Sequence, residues 1–313
     1  MNDYKARIAI MKQIERNLKS TPITLIYNLS NTRFRTQLAN DVLPSLNELL
    51  KSIPVSKGGR SGTLILHSSG GYIDVIGSFI YMMRKKFDKF QVAVPEISHS
   101  AATLLSFGAD LILMNDLSSL SPFDPQIGLV TPAGNIAAPA EAIKGYYTLI
   151  NNMFKDDSAR IQAFNVLLTR FPPDILGQIE RIQKQTEDAA TKAFQSHIKD
   201  KKKIKEIVTK FQKQFFSHDY RIHSDEARKL GLKVQMMDRK LESLCSNLLK
   251  LYVAGLGGQG DLEIDIPEGE IYKELIMSRA YLECVRSSFS YKTKYRILKD
   301  KKVEVEELGW SKN

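Results

Sequence analysis

Ser100 stands between a strand-like run, Phe90 to Ile97, and an apolar helix-like run containing Leu104, Leu105 and Phe107. It lies 29 residues after Gly71, where another strand-like run, Thr63 to His67, ends in Ser68-Ser69-Gly70-Gly71. A serine at a strand-to-helix turn, beside a glycine pair at a neighbouring strand end, is how a nucleophile meets an oxyanion hole. The turn exposes the hydroxyl, the helix N-terminus leaves N–H groups unsatisfied, and glycine lets further backbone donors approach. The chemistry would be acyl transfer. The same serine is equally suited to capping the helix, and a glycine pair after a strand is often only a turn with positive φ. From the motif alone the two readings of Ser100 stand level.

The elements that must position these residues alternate. A charged, amphipathic N-terminal stretch reads as a helix and Pro22 to Leu29 as a buried strand. Thr36 to Ile53 has helical spacing, with Pro44 marking a kink or a later start. Strand Thr63 to His67, helix Tyr72 to Lys86, strand Phe90 to Ile97, helix Ser100 to Ala109 and strand Leu111 to Asn115 follow with short connections, the pattern of a parallel sheet built from βαβ units. Pro139 to about Phe216 is almost wholly helical, interrupted at Phe171-Pro172-Pro173. A short helix, Ser224 to Leu230, and an extended Leu232 to Met236 close this region. Beyond Asp238 a glycine-rich link, Val253 to Gly260, leads to an alternating, charged, strand-like tail from Tyr291 to Leu308 with no assignable fold.

At 313 residues the chain has room for one large domain with appendages. The expected division is an N-terminal helix (1–21), an α/β domain (22–238) and a C-terminal extension (239–313). The two cysteines, Cys245 and Cys284, form neither a metal pattern nor a disulfide framework, which favours a reducing compartment. The N-terminal stretch has no uninterrupted apolar run and no segment approaches the ~20 apolar residues that cross a bilayer, so a cytoplasmic protein without a transmembrane segment is expected. The net charge of +10 is diffuse. Its densest cluster, KDKKKIK at 199–205, has no aromatic and reads as a solvated helix face; nucleic acid is not an expected partner.

The stretches LHSSGGYID (66–74), ISHSAATLLSFGADLILM (97–114), SPFDPQIG (121–128) and SHDYRIHSDEARKLGLKV (217–234) resemble the Clp-type protease and crotonase superfamily. Within it the closest likeness is to the serine dehydrogenase proteinase and signal peptide peptidase A branches. The resemblance implies the superfamily's α/β spiral of βαβ units, here with a helical arm and a small C-terminal extension. It makes Ser100 the nucleophile and the Gly71 and Ala101 N–H groups the oxyanion hole, with Gly70 in support. It also implies a homo-oligomer acting on a peptide or protein substrate, without a cofactor.

The general base is the open point. Clp-type proteases carry a histidine about 25 residues after the serine, in a stretch resembling Leu120 to Gln126. This chain has Phe123-Asp124-Pro125 there. Asp219 matches the aspartate of that triad, but its histidine partner is missing. Signal peptide peptidase-type relatives use a lysine, and Lys144, 44 residues after Ser100, fits. Among Ala137, Ala138, Pro139, Ala140, Ile143, Tyr146 and Tyr147, desolvation would favour its neutral, proton-accepting form; a lysine that snorkels to water is the rival reading.

His99, on a strand end, should face away from Ser100 and is a lesser base candidate. His218, beside Asp219, could approach through the fold. His67 is expected to support the glycine turn, and His197 and His223 to lie on the surface. No pair has metal-ligand spacing, so no metal site is expected. Asp124, in the DPQ signature, reads as a turn cap between two prolines that lines the substrate cleft.

The expected function is a serine peptidase with a Ser100–Lys144 dyad. A catalytically silent scaffold or binding module on the same fold is the first alternative. A crotonase-like acyl-CoA enzyme is the second, weakened by the lack of a glutamate other than Glu96 in Pro95 to Gly108.

Overall fold

Helix α1 (Tyr4–Leu18) turns Arg7, Met11 and Ile14 inward, a spacing that keeps them on one face. It leads into β1 (Thr21–Tyr27), buried along nearly its whole length. The computed structural model describes residues 4–29, 36–54, 60–123, 126–131, 134–171, 173–213, 215, 217, 220–256, 271–299 and 302–313. Helix α2 (Val42–Ser52) begins later than the apolar spacing indicated, so that Pro44 falls in its first turn, where a missing N–H removes no intrahelical bond.

Next come β2 (Ser61–His67), α3 (Asp74–Lys86), β3 (Lys89–Val94), the two-residue β4 (Ile97–Ser98), α4 (Ala101–Phe107), β5 (Leu111–Met114) and the two-residue β6 (Ser119–Leu120). A hairpin of β7 (Gln126–Thr131) and β8 (Gly134–Pro139), which periodicity had not indicated, precedes the helical arm. The arm consists of α5 (Ala140–Met153), α6 (Asp157–Arg170), α7 (Pro173–Gln195) and α8 (Lys201–Lys213). Pro173 occupies the first position of α7, where its fixed φ suits a helix start. Short α9 (Ser224–Lys229) and β9 (Val234–Met236) return the chain to the sheet, followed by α10 (Arg239–Gly255), β10 (Tyr272–Cys284), β11 (Ser287–Leu298) and β12 (Val303–Lys312).

Among the described residues, eight strands form one sheet in the order β12-β11-β10-β1-β2-β3-β5-β9. The run from β1 to β9 is parallel, as the βαβ alternation requires. Helices cover both faces. On one, Leu46, Phe79, Leu104, Phe107 and Phe194 form the larger core; on the other, Met11, Ile14, Leu241, Leu248 and Tyr252 join α1 and α10 against Ile26 and Ile65. This double cover explains why β1 and β2 read as continuous apolar runs and not as alternating ones.

Of the segments set apart in sequence by their character, 1–21 packs α1 against a face of this sheet and 239–313 adds strands to its edge. The C-terminal extension, 239–313, supplies α10 and three antiparallel strands, with β10 paired along β1 from Ile23↔Cys284 to Tyr27↔Ala280. Arg7 and Glu283 meet there, both fully buried, through Nε–Oε2 and Nη2–Oε1 bonds of 2.9 and 2.8 Å. The Tyr252 and Ser288 hydroxyls each donate to the same carboxylate at 2.6 Å, and the guanidinium lies 4.9 and 4.8 Å from the Tyr252 and Tyr281 ring centres. With every carboxylate oxygen bonded, the pair is a satisfied network. Removing one partner of such a pair costs about 3–5 kcal/mol, chiefly for the charge left behind.

Candidate active site

The chain just beyond β2 is laced to β4 before either reaches its helix. The Ser68 N–H donates to Ile97 O and the His99 N–H to Ser68 O, each at 3.0 Å, while the Gly70 N–H donates to the Ser68 hydroxyl at 3.0 Å. Gly70 and Gly71 have φ of 107° and 155°. A Cβ on Gly70 would come within 2.7 Å of Ser100 Cβ, 2.8 Å of His99 O and 3.0 Å of Ala101 N. On Gly71 it would come within 2.2 Å of Leu38 O and 2.5 Å of Leu38 N. Leu38 is held beside this turn by its N–H to Gly70 O (2.9 Å) and by the Tyr72 N–H to its own carbonyl (2.8 Å). Gly70 therefore lets backbone lie against Ser100, and Gly71 lets the segment containing Leu38 close over the turn.

A direct check compares two glycines. Gly71→Ala, which must push backbone aside, is expected to lower stability by about 1–3 kcal/mol and to remove activity. Gly77→Ala, on the exposed side of α3 where an added Cβ meets nothing within 4 Å, should raise stability by about 0.5–1 kcal/mol. Thermal unfolding of the pair reads both signs; an unperturbed Gly71→Ala would contradict this packing.

Ser100 has φ 51° and ψ −122°, a conformation L-residues avoid and which costs about 1–3 kcal/mol unless its surroundings hold it. Its hydroxyl makes no hydrogen bond to the first turn of α4. The capping reading thus lacks both the extended backbone and the bond that define a cap. The Ser100 N–H donates to the Ser121 hydroxyl at 2.7 Å. Ala101 opens α4, so its N–H has no carbonyl within the helix to meet, and it adjoins the Gly70 backbone. Helix α4 is itself fixed by rings: Phe107 stacks on Phe194 at 4.4 Å and meets Phe211 and Phe123 edge-on at 4.9 and 5.7 Å. The geometry brings Ser100, Ala101 and Gly70 together, with Gly71 next in the chain and against Leu38. It also brings two residues the sequence did not single out for this place. Leu38 was read as part of a helix over Thr36 to Ile53; it lies before α2 and bridges to Gly71 instead. Ser121 stood within a noted motif but in no role.

The histidines divide. His99, just beyond β4, places Nε2 2.9 Å from the Ser119 hydroxyl. His67 is buried at the end of β2, with no hydrogen-bond partner at Nδ1 among the described residues, and burial followed by the nearness of His99 pushes its pKa down to about 4. His197, expected on the surface, is half-buried instead; burial, then Arg84, likewise pushes it down to about 4. His223 is exposed and uses Nδ1 on Ser118 O at 2.9 Å.

Both depressed histidines bind protons more weakly folded than unfolded. Stability is therefore complete above the ordinary histidine pKa of about 6.5 and falls as pH drops from there toward 4. Chemical denaturation at pH 7 and pH 4.5 should show this loss, and His67→Gln, which cannot titrate, should show less of it. An unchanged slope in that variant would assign the loss to other groups.

Of the remaining candidates, Lys144 lies in the second turn of α5 with its side chain outside the described residues, and Asp124, His218 and Asp219 lie outside them altogether. Among the described residues no cluster of His, Cys, Asp and Glu could hold a metal ion, and no helix is long and apolar enough to cross a membrane.

The sequence profile of the ClpP-like SDH-type serine proteinases matches residues 1–270. Two proteins of Methanocaldococcus jannaschii, the uncharacterized MJ0137 and MJ1495, are 25% and 23% identical to this chain over 263 and 262 residues. Those alignments cover 82% and 81% of this chain and 82% and 78% of theirs. Among solved structures, a serine-to-alanine mutant of the membrane-bound stomatin-specific protease 1510-N aligns with 68% of this chain and 76% of its own, at a TM-score of 0.34 and 16% identity.

Proposed function

Because the chain belongs to the ClpP-like SDH-type serine proteinases, we propose that it hydrolyses peptide bonds through an acyl-enzyme formed on Ser100. The observation that carries this reading is the backbone of Ser100: a strained positive-φ turn whose hydroxyl is not spent on capping α4. Strain of this kind persists where function requires a side chain to be presented.

In the proposed reaction Ser100 Oγ attacks the scissile carbonyl carbon while Lys144, as the neutral amine, takes the hydroxyl proton. The N–H groups of Gly71 and Ala101 hold the oxyanion; one such donor is worth about 3–4 kcal/mol of barrier. The tetrahedral intermediate collapses, Lys144 returns the proton to the departing amine, and the acyl group stays on Ser100. A water molecule then repeats the attack with Lys144 again as base, releasing the acid and restoring the serine. No cofactor enters these steps. Gly70 supports the turn, while His99 and His218 are the reserve bases, with Asp219 in the orienting place of a triad aspartate, and Asp124 lines the cleft.

A fluorophosphonate probe tests the proposal, because it phosphonylates only an activated serine. Labelling mapped to Ser100 supports it. Absence of labelling in folded protein favours the scaffold alternative.

Self-association belongs to the same proposal. Tyr147 and Met153 of α5 and Ile161 and Val166 of α6 are each more than half exposed, a density of apolar side chains that a second copy would cover. Light scattering at micromolar concentration is expected to give a multiple of the chain mass, reduced by Ile161→Lys; a strict monomer would count against association.

A further inference from the structure

The Ser100 N–H and the Ala101 N–H flank the same Cα. Rotation about φ and ψ of Ser100 therefore swings the hydroxyl and redirects the Ala101 N–H at once. Whatever fixes the Ser100 main chain fixes both the attacking atom and one oxyanion donor. The fixing groups come from the segment that follows β6. The two-residue parallel ladder, Ile97↔Ser119 and Ser98↔Leu120, brings the next residue, Ser121, alongside the turn.

There Ser121 accepts from the Ser100 N–H at 2.7 Å and donates its own hydroxyl proton to Pro122 O at 2.9 Å. Its main-chain N–H donates to Thr103 Oγ1 at 3.1 Å, and that hydroxyl donates to Ser98 O at 2.7 Å. Ser98, Thr103 and Ser121 are all fully buried. The hydrogen bonds thus run from the residue before His99, through α4, to Ser121 and back to Ser100, enclosing the strained residue on both sides.

We infer that Ser121 is a positioning residue for the acyl transfer: its hydroxyl holds Ser100 in the positive-φ conformation that presents Oγ and aims the Ala101 N–H. The inference rests on the assignment of Ser100 as nucleophile made above. Ser121 supplies no proton to the reaction, since its single hydroxyl proton is committed to Pro122 O. Its removal should change how fast Ser100 reacts and not the pH at which it does so. Substrate binding, which does not depend on the rotation of one serine, should be little affected.

The test uses the full chain with Ser121→Ala, the near-isosteric Ser121→Cys, whose sulfur is a weak acceptor, and Ser121→Thr, which retains the hydroxyl. Two readouts are taken. Amide exchange resolved to single residues should rise about tenfold at Ser100 in the Ala and Cys variants, with the interior of α4 unchanged. Fluorophosphonate labelling and peptide kcat should fall about ten- to a hundredfold, as small misplacements of a reacting atom do. KM and the shape of the pH profile should hold, and Ser121→Thr should recover most of the rate.

Unchanged exchange at Ser100 overturns the hydrogen-bonding role. Raised exchange with an undiminished labelling rate overturns the positioning role, and so does a shifted pH profile. If the unsubstituted chain itself takes no label at Ser100, the nucleophile assignment fails and the positioning inference falls with it, whereas the exchange result still decides the hydrogen bond. A variant that fails to fold is replaced by Ser121→Cys, whose volume leaves the buried site filled.

Discussion

Ser100→Ala is expected to abolish probe labelling and to lower peptide hydrolysis by about 10⁴- to 10⁶-fold, the range over which removing a serine nucleophile acts. Stability should scarcely change, because the hydroxyl makes no cap bond to α4 and its removal deletes no interaction of the helix. Ser100→Gly sharpens the point. Glycine accepts positive φ without strain, so this variant should be more stable than Ser100→Ala by about 1 kcal/mol and just as inactive. Denaturant titration of the two variants, beside a labelling assay, checks both halves. Turnover retained by either would end the mechanism as drawn. A loss of stability of the size caused by a missing cap would restore the structural reading of the serine.

The second large effect concerns the base. If Lys144 accepts the Ser100 proton, activity should rise with pH along a single ionisation as the ammonium gives way to the amine. Lys144→Arg keeps the charge but cannot deprotonate, and Lys144→Ala leaves Ser100 unactivated; each should lose about 10²- to 10⁴-fold in kcat. Initial rates across the pH range settle the matter. Activity retained in both lysine variants, with loss in His99→Ala or His218→Ala, would replace the dyad by a histidine relay. Activity indifferent to all of these would leave a folded scaffold.

The parallel core was legible because each strand is short, apolar and followed at once by an amphipathic helix, as with Thr63 to His67 before α3. Ser100, Gly70 and Gly71 were legible because a strained turn and a close backbone approach both leave a mark in residue type. Ser121 was not: a serine that accepts one N–H looks like any other, and its partner lies 21 residues away in the chain. The strands of the tail were partly visible as alternation, but their partner was not. Pairing with β1 is decided by the open edge of a sheet about 260 residues upstream, which local pattern does not encode. His197 was expected on the surface because it sits in a charged stretch; it is half-buried, near Arg84 and Asp110.

The union of β1 with β10 has a consequence for synthesis. On the ribosome, β1, β2 and the helices around them are made long before residues 272–284. Until those residues emerge, β1 presents an unpaired row of N–H and C=O groups, and Arg7 has no Glu283 to meet. Contacts spanning about 270 positions also close slowly, because much chain must be ordered before they form. Until β10 is made, the β1 edge is therefore open, the kind of surface on which holding chaperones act. Translation has to run nearly to the last strands before the core that supports Ser100 can close.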